Sequence, residues 1–168
     1  HRLAAGDEFM PKKHAKLWAV AVSILIPLAV GGLSALLARD GMRLFALMRK
    51  PPLAPPAWAF PVTWTALYVM MGAASYLVYA SGASRVRRER ALTFYALQLG
   101  MNFFWSIIFF SLEMYLTAFI WLVGMWMLIL ICTVLFWHID RRAGRLMLPY
   151  LAWVAFAGYL NMGIFLLN

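Results

Sequence analysis

Five apolar runs separated by short charged breaks set the terms for any fold this chain can adopt. They cover about Leu17–Ala38, Trp58–Ala80, Ala91–Leu112, Met114–Ile139 and Leu146–Leu167. A helix needs roughly 20 predominantly apolar residues to cross the hydrocarbon core of a bilayer, and each run approaches or exceeds that length. Lipid offers the backbone no hydrogen-bond partners, so segments of this kind satisfy themselves as helices. Between the third and fourth runs only Glu113 interrupts the apolar sequence. A single helix through both would be far longer than a bilayer is thick, so a hairpin is required there. Composition agrees: the chain is 65% hydrophobic and 12% charged, with mean hydropathy +0.79, against roughly 45–50% apolar and 25% charged in soluble domains. The expected fold is an all-α integral membrane protein, a five-transmembrane-helix bundle in one domain over residues 10–168. Residues 1–9, HRLAAGDEF, match neither a signal peptide nor a helix and read as an expression remnant without function.

The charge pattern gives the bundle an orientation. Ten basic residues (Lys12, Lys13, Lys16, Arg85, Arg87, Arg88, Arg90, Arg141, Arg142 and Arg145) fall at the amino-terminal end of an odd-numbered bundle, against four (Arg39, Arg43, Arg49 and Lys50) at the other. Cytoplasmic loops carry the excess of Lys and Arg, which predicts the amino terminus inside. Basic clusters between apolar runs fit membrane loops and exclude nucleic acid as a partner.

The first break is the long one. It runs RDGMRLFALMRKPPLAPP, and a loop of this size in a compact domain tends to be a lid or a binding loop. MRLFALMRK can form a turn or two of interfacial helix, and Pro51, Pro52, Pro55 and Pro56 then forbid helix until Trp58, leaving a stiff, extended cover.

Side-chain spacing suggests what lies beneath. Trp64 and Tyr68 stand one turn apart on the second span. Gln98, Asn102 and Trp105 share a face of the third, and Trp153, Ala157, Leu160 and Asn161 share one on the fifth. Amides deep in a span turn away from lipid, which predicts a pocket where spans two, three and five meet; hydrogen-bonded helix contacts are the alternative reading of the same amides. Trp18, Trp58, Trp121, Trp126 and Trp137 are expected in the interfacial belts. Gly31, Gly32, Gly72, Gly100 and Gly158 are expected to permit close helix approach.

Familiar catalytic constellations are absent. The lone Cys132 can form no internal disulfide, and there is no metal-ligand spacing, carboxylate pair, nucleophile triad or phosphate loop. No intramembrane carboxylate relay is present for ion-coupled pumping. His138 is expected at a solvated helix end.

Three blocks resemble the TspO/translocator protein family, also called tryptophan-rich sensory proteins. KPPLAPPAWAFPVTWTALY is similar to the family's Lys-Pro-x-Trp-x-Pro-Pro loop and the start of its second span. YALQLGMNFFWSIIFF is similar to its Gln-Leu-x-x-Asn-x-x-Trp. RLMLPYLAWVAFAGYLN is similar to its Leu-x-Pro-Tyr-x-x-Trp-x-x-Phe-Ala-x-x-Leu-Asn. The resemblance implies a pocket under the first loop that binds porphyrins such as protoporphyrin IX or haem as ligands, with no required cofactor. In some members it also implies sterol or drug-like ligands, and homodimers are common. It implies ligand contact by Trp64, Tyr68, Gln98, Asn102, Trp105, Trp153, Phe156, Ala157 and Leu160, under a lid of Lys50, Pro51, Leu53, Pro55, Pro56 and Phe60. Trp64 and Trp153 match residues linked in some bacterial members to light-dependent porphyrin degradation, so a bacterial membrane is the expected home. Two departures bear on the lid: Leu53 stands where the family has its loop tryptophan, and Leu44 and Phe45 replace an aromatic pair.

Overall fold

The computed structural model describes residues 12–168, so the expectation for residues 1–9 lies outside the described residues. Six α-helices follow in order: α1 Lys12–Leu37, α2 Arg39–Phe45, α3 Ala59–Tyr79, α4 Arg85–Ser106, α5 Tyr115–Ile139 and α6 Arg141–Leu167. All but α2 are long and apolar enough to cross a membrane. The five-helix membrane bundle anticipated from the apolar runs is the architecture observed.

The helices begin earlier than the apolar runs on α1, α4 and α6. Charged residues carry these helices past the hydrocarbon boundary, where water and headgroups receive them, and on α4 and α6 the starts are set by capping. Ser84 Oγ accepts the Arg87 N–H at 3.3 Å, and Asp140 Oδ1 accepts the Arg142 N–H at 2.9 Å. Each satisfies one of the orphan donors of a first helical turn. At the other end of the bundle α4 widens into a π turn, Ile107–Ser111. The required hairpin closes there, with Glu113 at φ 54.

The long helices close into a ring, α1 against α3, α3 against α6, α6 against α5, α5 against α4, and α4 back to α1. The α1–α3 seam depends on Gly72: a Cβ there would lie 2.6 Å from Ile24 Cα, so the two backbones touch. Gly31 likewise lies under the Tyr68 ring. Gly32 and Gly100 do not serve the expected purpose, because nothing approaches either within 4 Å. Two of the expected belt tryptophans are structural as well. Trp121 donates to the Met101 carbonyl at 2.8 Å and Trp126 to the Leu151 carbonyl at 3.0 Å, pinning α5 to α4 and α6.

Residues 46–58 return over the bundle to α3. Their inner edge is tied to α6 at three points. Pro51 is buried against Gly163, the Tyr159 hydroxyl donates to the Pro52 carbonyl at 2.7 Å, and the Asn168 side chain clasps the backbone of Arg49, accepting its N–H at 3.2 Å and donating to its carbonyl at 2.8 Å. The next residue, Leu53, sits at φ 69. A left-handed backbone costs an L-residue with a Cβ roughly 1–2 kcal/mol, and Leu53 adopts it between Pro52 and the Ala54–Pro55 step, where the fixed proline φ angles narrow the paths open to the chain.

Candidate functional site

Beneath α2 and the proline-rich loop lies a cavity of about 520 Å³. That falls within the ~300–1,000 Å³ typical of small-molecule sites. Its walls are aromatic because most elements that reach it present a ring on their inner face: Phe45 from α2, Phe60, Trp64 and Tyr68 from α3, Trp105 from α4, Phe109 and Phe110 from the π turn, and Trp153 from α6. Trp64 stacks on Tyr68 at 5.6 Å and meets Trp153 edge-on at 6.4 Å and 86°. Trp105 stacks on Phe109 at 5.3 Å, and Phe45 sets its edge against Phe60, Phe109 and Phe110. Small residues, Gly31, Ala35 and Ala157, leave the space between these rings.

The expected meeting of spans two, three and five is therefore too narrow a description. α1 contributes Gly31, Ser34 and Ala35, and α2 contributes Met42, Phe45 and Ala46. Of the expected ligand residues, Trp64, Tyr68, Trp105, Trp153, Ala157 and Leu160 line the cavity. Gln98, Asn102 and Phe156 do not. Phe156 packs between Trp153 and Tyr159, at 5.6 and 6.0 Å, behind the wall. Of the expected lid residues, Lys50, Pro55, Pro56 and Phe60 face the cavity. Pro51 is wedged on α6, and Leu53 turns outward, 85% exposed.

Gln98 and Asn102 belong to a polar chain just below the cavity. The Tyr68 hydroxyl donates to Asn102 Oδ1 at 3.0 Å, Asn102 Nδ2 donates to the Tyr150 hydroxyl at 2.7 Å, and that hydroxyl donates to Gln98 Oε1 at 2.7 Å. The chain crosses from α3 to α4 to α6 and back to α4, and all four residues are buried. Tyr150 is its hub and also sets its ring edge 6.2 Å from Trp64. Sequence reasoning passed over Tyr150, although a tyrosine in an apolar span signals a hydroxyl that must find a partner. A second link holds the α4 and α6 walls together: Trp105 Nε1 donates to Asn161 Oδ1 at 3.2 Å, and Asn161 Nδ2 donates to the Tyr115 carbonyl at 2.8 Å.

Polar groups at the cavity itself are few and are mostly donors. Lys50 Nζ stands 5.0 Å from the Phe45 ring centroid and donates to the Ala46 carbonyl at 3.3 Å, placing a cation at the cavity's edge. Trp153 Nε1 is buried and has no acceptor among the described residues. No metal-binding group of His, Cys, Asp and Glu occurs among them. His138 is exposed at the far end of α5, and Cys132 is buried in α5 away from the cavity. The shape and lining of such a site suit a flat apolar body, with hydrogen-bond donors and positive charge at the edge. It contains no acid–base pair for bond-breaking chemistry.

Residues 23–167 match the sequence model of the TspO/MBR family. Tryptophan-rich protein TspO of Archaeoglobus fulgidus is 35% identical over 150 residues, covering 89% of this chain and 96% of that protein. Translocator protein of Bos taurus is 36% identical over 151 residues, 86% of this chain and 87% of that protein. Protein CrtK of Rhodobacter capsulatus is 35% identical over 121 residues, 72% of this chain and 76% of that protein.

Proposed function

The chain belongs to the TspO/MBR family, and on that premise we propose that its cavity binds a porphyrin, protoporphyrin IX or haem, within the membrane, for tetrapyrrole handling, sensing or transport. The observation that carries this reading is the wall itself: three tryptophans, a tyrosine and four phenylalanines around one space, with Lys50 at its edge. A porphyrin is a flat aromatic ring bearing carboxylates. Stacking suits its faces, and an ammonium group with an unpaired indole N–H suits its propionates. The cavity wall holds no histidine or cysteine, so the fit is to the macrocycle and its carboxylates more than to an iron atom.

Titration of the purified protein with protoporphyrin IX, followed by quenching of tryptophan fluorescence, tests the reading. Trp64→Ala and Trp153→Ala should each weaken binding about tenfold, the loss of one stacking partner. Binding by both variants at wild-type affinity would remove the cavity from consideration.

A second reading rests on the contact of Trp64 with Trp153, 6.4 Å apart in the cavity wall: paired indoles beside a light-absorbing ring can give up an electron to its excited state. Under this reading illumination of the complex bleaches the porphyrin band faster than it bleaches free porphyrin, and Trp153→Phe slows the loss. Equal rates leave binding alone.

A further inference from the structure

The lid has two faces, and the cavity accounts for only one. On α2 and the turn after it, Met42, Phe45 and Ala46 point into the cavity, while Leu44 and Leu47 point away. Leu47 is 86% exposed and Leu53, at the tip, 85%; these are the most exposed large apolar side chains among the described residues, and Trp58, where α3 begins, is 69% exposed. Leu53 is exposed through a backbone conformation that is unfavourable for leucine, which turns its side chain off the cavity.

The geometry points to a lipid-facing role for this outer surface: Leu47 and Leu53, with Leu44 and Trp58, are seated in the phospholipid leaflet at the lid end of the bundle. The lid begins where α1 ends and finishes where α3 starts, so its backbone runs at the level of the membrane boundary. Tryptophan and leucine beside basic residues are the composition that partitions into this layer. Charge selects the occupant. Arg39, Arg43 and Arg49 are exposed around the apolar side chains, and the nearby acid, Asp40, is only 4.0 Å from the Arg43 guanidinium. Lipid phosphates complement that surface, whereas a second copy related by a two-fold axis would bring the same cations together. The inner edge of the lid is fastened to α6 by Pro51, Pro52 and Arg49, so lipid holds the outer edge and protein the inner one. This placement does not depend on which molecule the cavity binds.

Spin-label accessibility in vesicles of phosphatidylcholine and phosphatidylglycerol provides the test. Leu47→Cys and Leu53→Cys are each made in a Cys132→Ala background, since Cys132 is the one cysteine and is buried. Two reference sites bracket the result: Ile120→Cys on the outer face of α5, 64% exposed, and Gly82→Cys in the open turn before α4. Collisions with oxygen report lipid, and collisions with a water-soluble nickel chelate report water. Both lid labels should resemble Ile120→Cys, with an oxygen-to-nickel ratio severalfold above that of Gly82→Cys. A ratio at either lid label equal to that of Gly82→Cys overturns the proposal. So does dipolar broadening between Leu53→Cys labels that disappears on dilution with unlabelled protein, because that surface would then be covered by a second copy.

Discussion

The two ends of the bundle are built from the same helices and solve different problems. At the amino-terminal end Met71, Ala74, Val78, Ala91, Cys132, Phe136, Ala143 and Met147 are all fully buried, and the helices close on one another. At the lid end the same helices carry tryptophan and phenylalanine around a space of about 520 Å³. At the closed end the one large ring among these residues, Phe136, stacks on Tyr95 and the small and flexible side chains fill the rest, whereas at the lid end the rings stand around a space. Between the ends lies the polar chain of Tyr68, Asn102, Tyr150 and Gln98, whose hydrogen bonds depend on helix positions from both. The cavity is therefore not a packing defect. Its floor is a directional network that fixes the Tyr68 ring, and through it Trp64, at a set height.

Asn102→Leu should disturb this division most. It strips the Tyr68 hydroxyl of its acceptor and the Tyr150 hydroxyl of a donor, and buried groups left unpaired cost about 1–3 kcal/mol each. The expected outcome is a loss of about 3 kcal/mol in unfolding free energy in detergent micelles, with porphyrin quenching weakened as well. Lost stability with untouched ligand binding would show that the floor does not position the wall.

Gly72→Val comes next and strikes the seam between α1 and α3. Because the contact is with the Ser23–Ile24 backbone, no side chain can swing aside, and overpacking of this kind costs about 1–3 kcal/mol. A thermal melt should drop, while binding, referred to the folded fraction, should change less than in Asn102→Leu.

What the sequence disclosed follows the same division. The five spans were legible because lipid imposes one simple requirement on length and apolarity, and the lid because consecutive prolines forbid helix. Helical spacing correctly set Gln98, Asn102 and Trp105 on one inward face, but it reports direction around a helix and not depth along the bundle. Trp105 reaches the cavity, while Asn102 and Gln98, one and two turns lower, meet Tyr68 and Tyr150. Phe109 and Phe110 were harder still, since the π turn shifts the angular register that ordinary helical spacing assumes. Trp121 and Trp126 looked like belt residues because a carbonyl acceptor on a neighbouring helix leaves no mark in the local sequence.

Gly163→Val acts on the lid side. A Cβ at Gly163 would lie 2.5 Å from Pro51 Cγ, so the lid root must shift outward. Packing elsewhere is untouched, and the expected signature is the reverse of Gly72→Val: affinity for protoporphyrin IX falls roughly fivefold, about 1 kcal/mol, with a smaller change in the melt. An affinity equal to wild type would mean that the ligand is held by the wall alone.

The smallest effect is expected at the opposite end, where Asp140 caps α6. The side-chain hydrogen bond from Arg142 holds the Asp140 carboxyl below the usual carboxylate range, with the Arg142 backbone N–H assisting and partial burial opposing. A carboxyl with a lowered pKa in the folded state contributes stability that is fully present above its unfolded value, ~3.9, and is lost as pH falls through the folded value. The group is close to solvent, so its contribution is that of an ordinary cap, about 0.5–1 kcal/mol. Asp140→Asn keeps a capping oxygen and removes the charge. Thermal melts of this variant should therefore show a smaller decrease between pH 6 and pH 3 than the wild type, by no more than about 1 kcal/mol. Ligand binding at pH 7 should be unchanged, because the carboxylate sits across the bundle from the cavity. A matching loss of affinity in Asp140→Asn would show that the cap at one end and the aromatic wall at the other are not separable, and the two-ended description would have to give way to one cooperative unit.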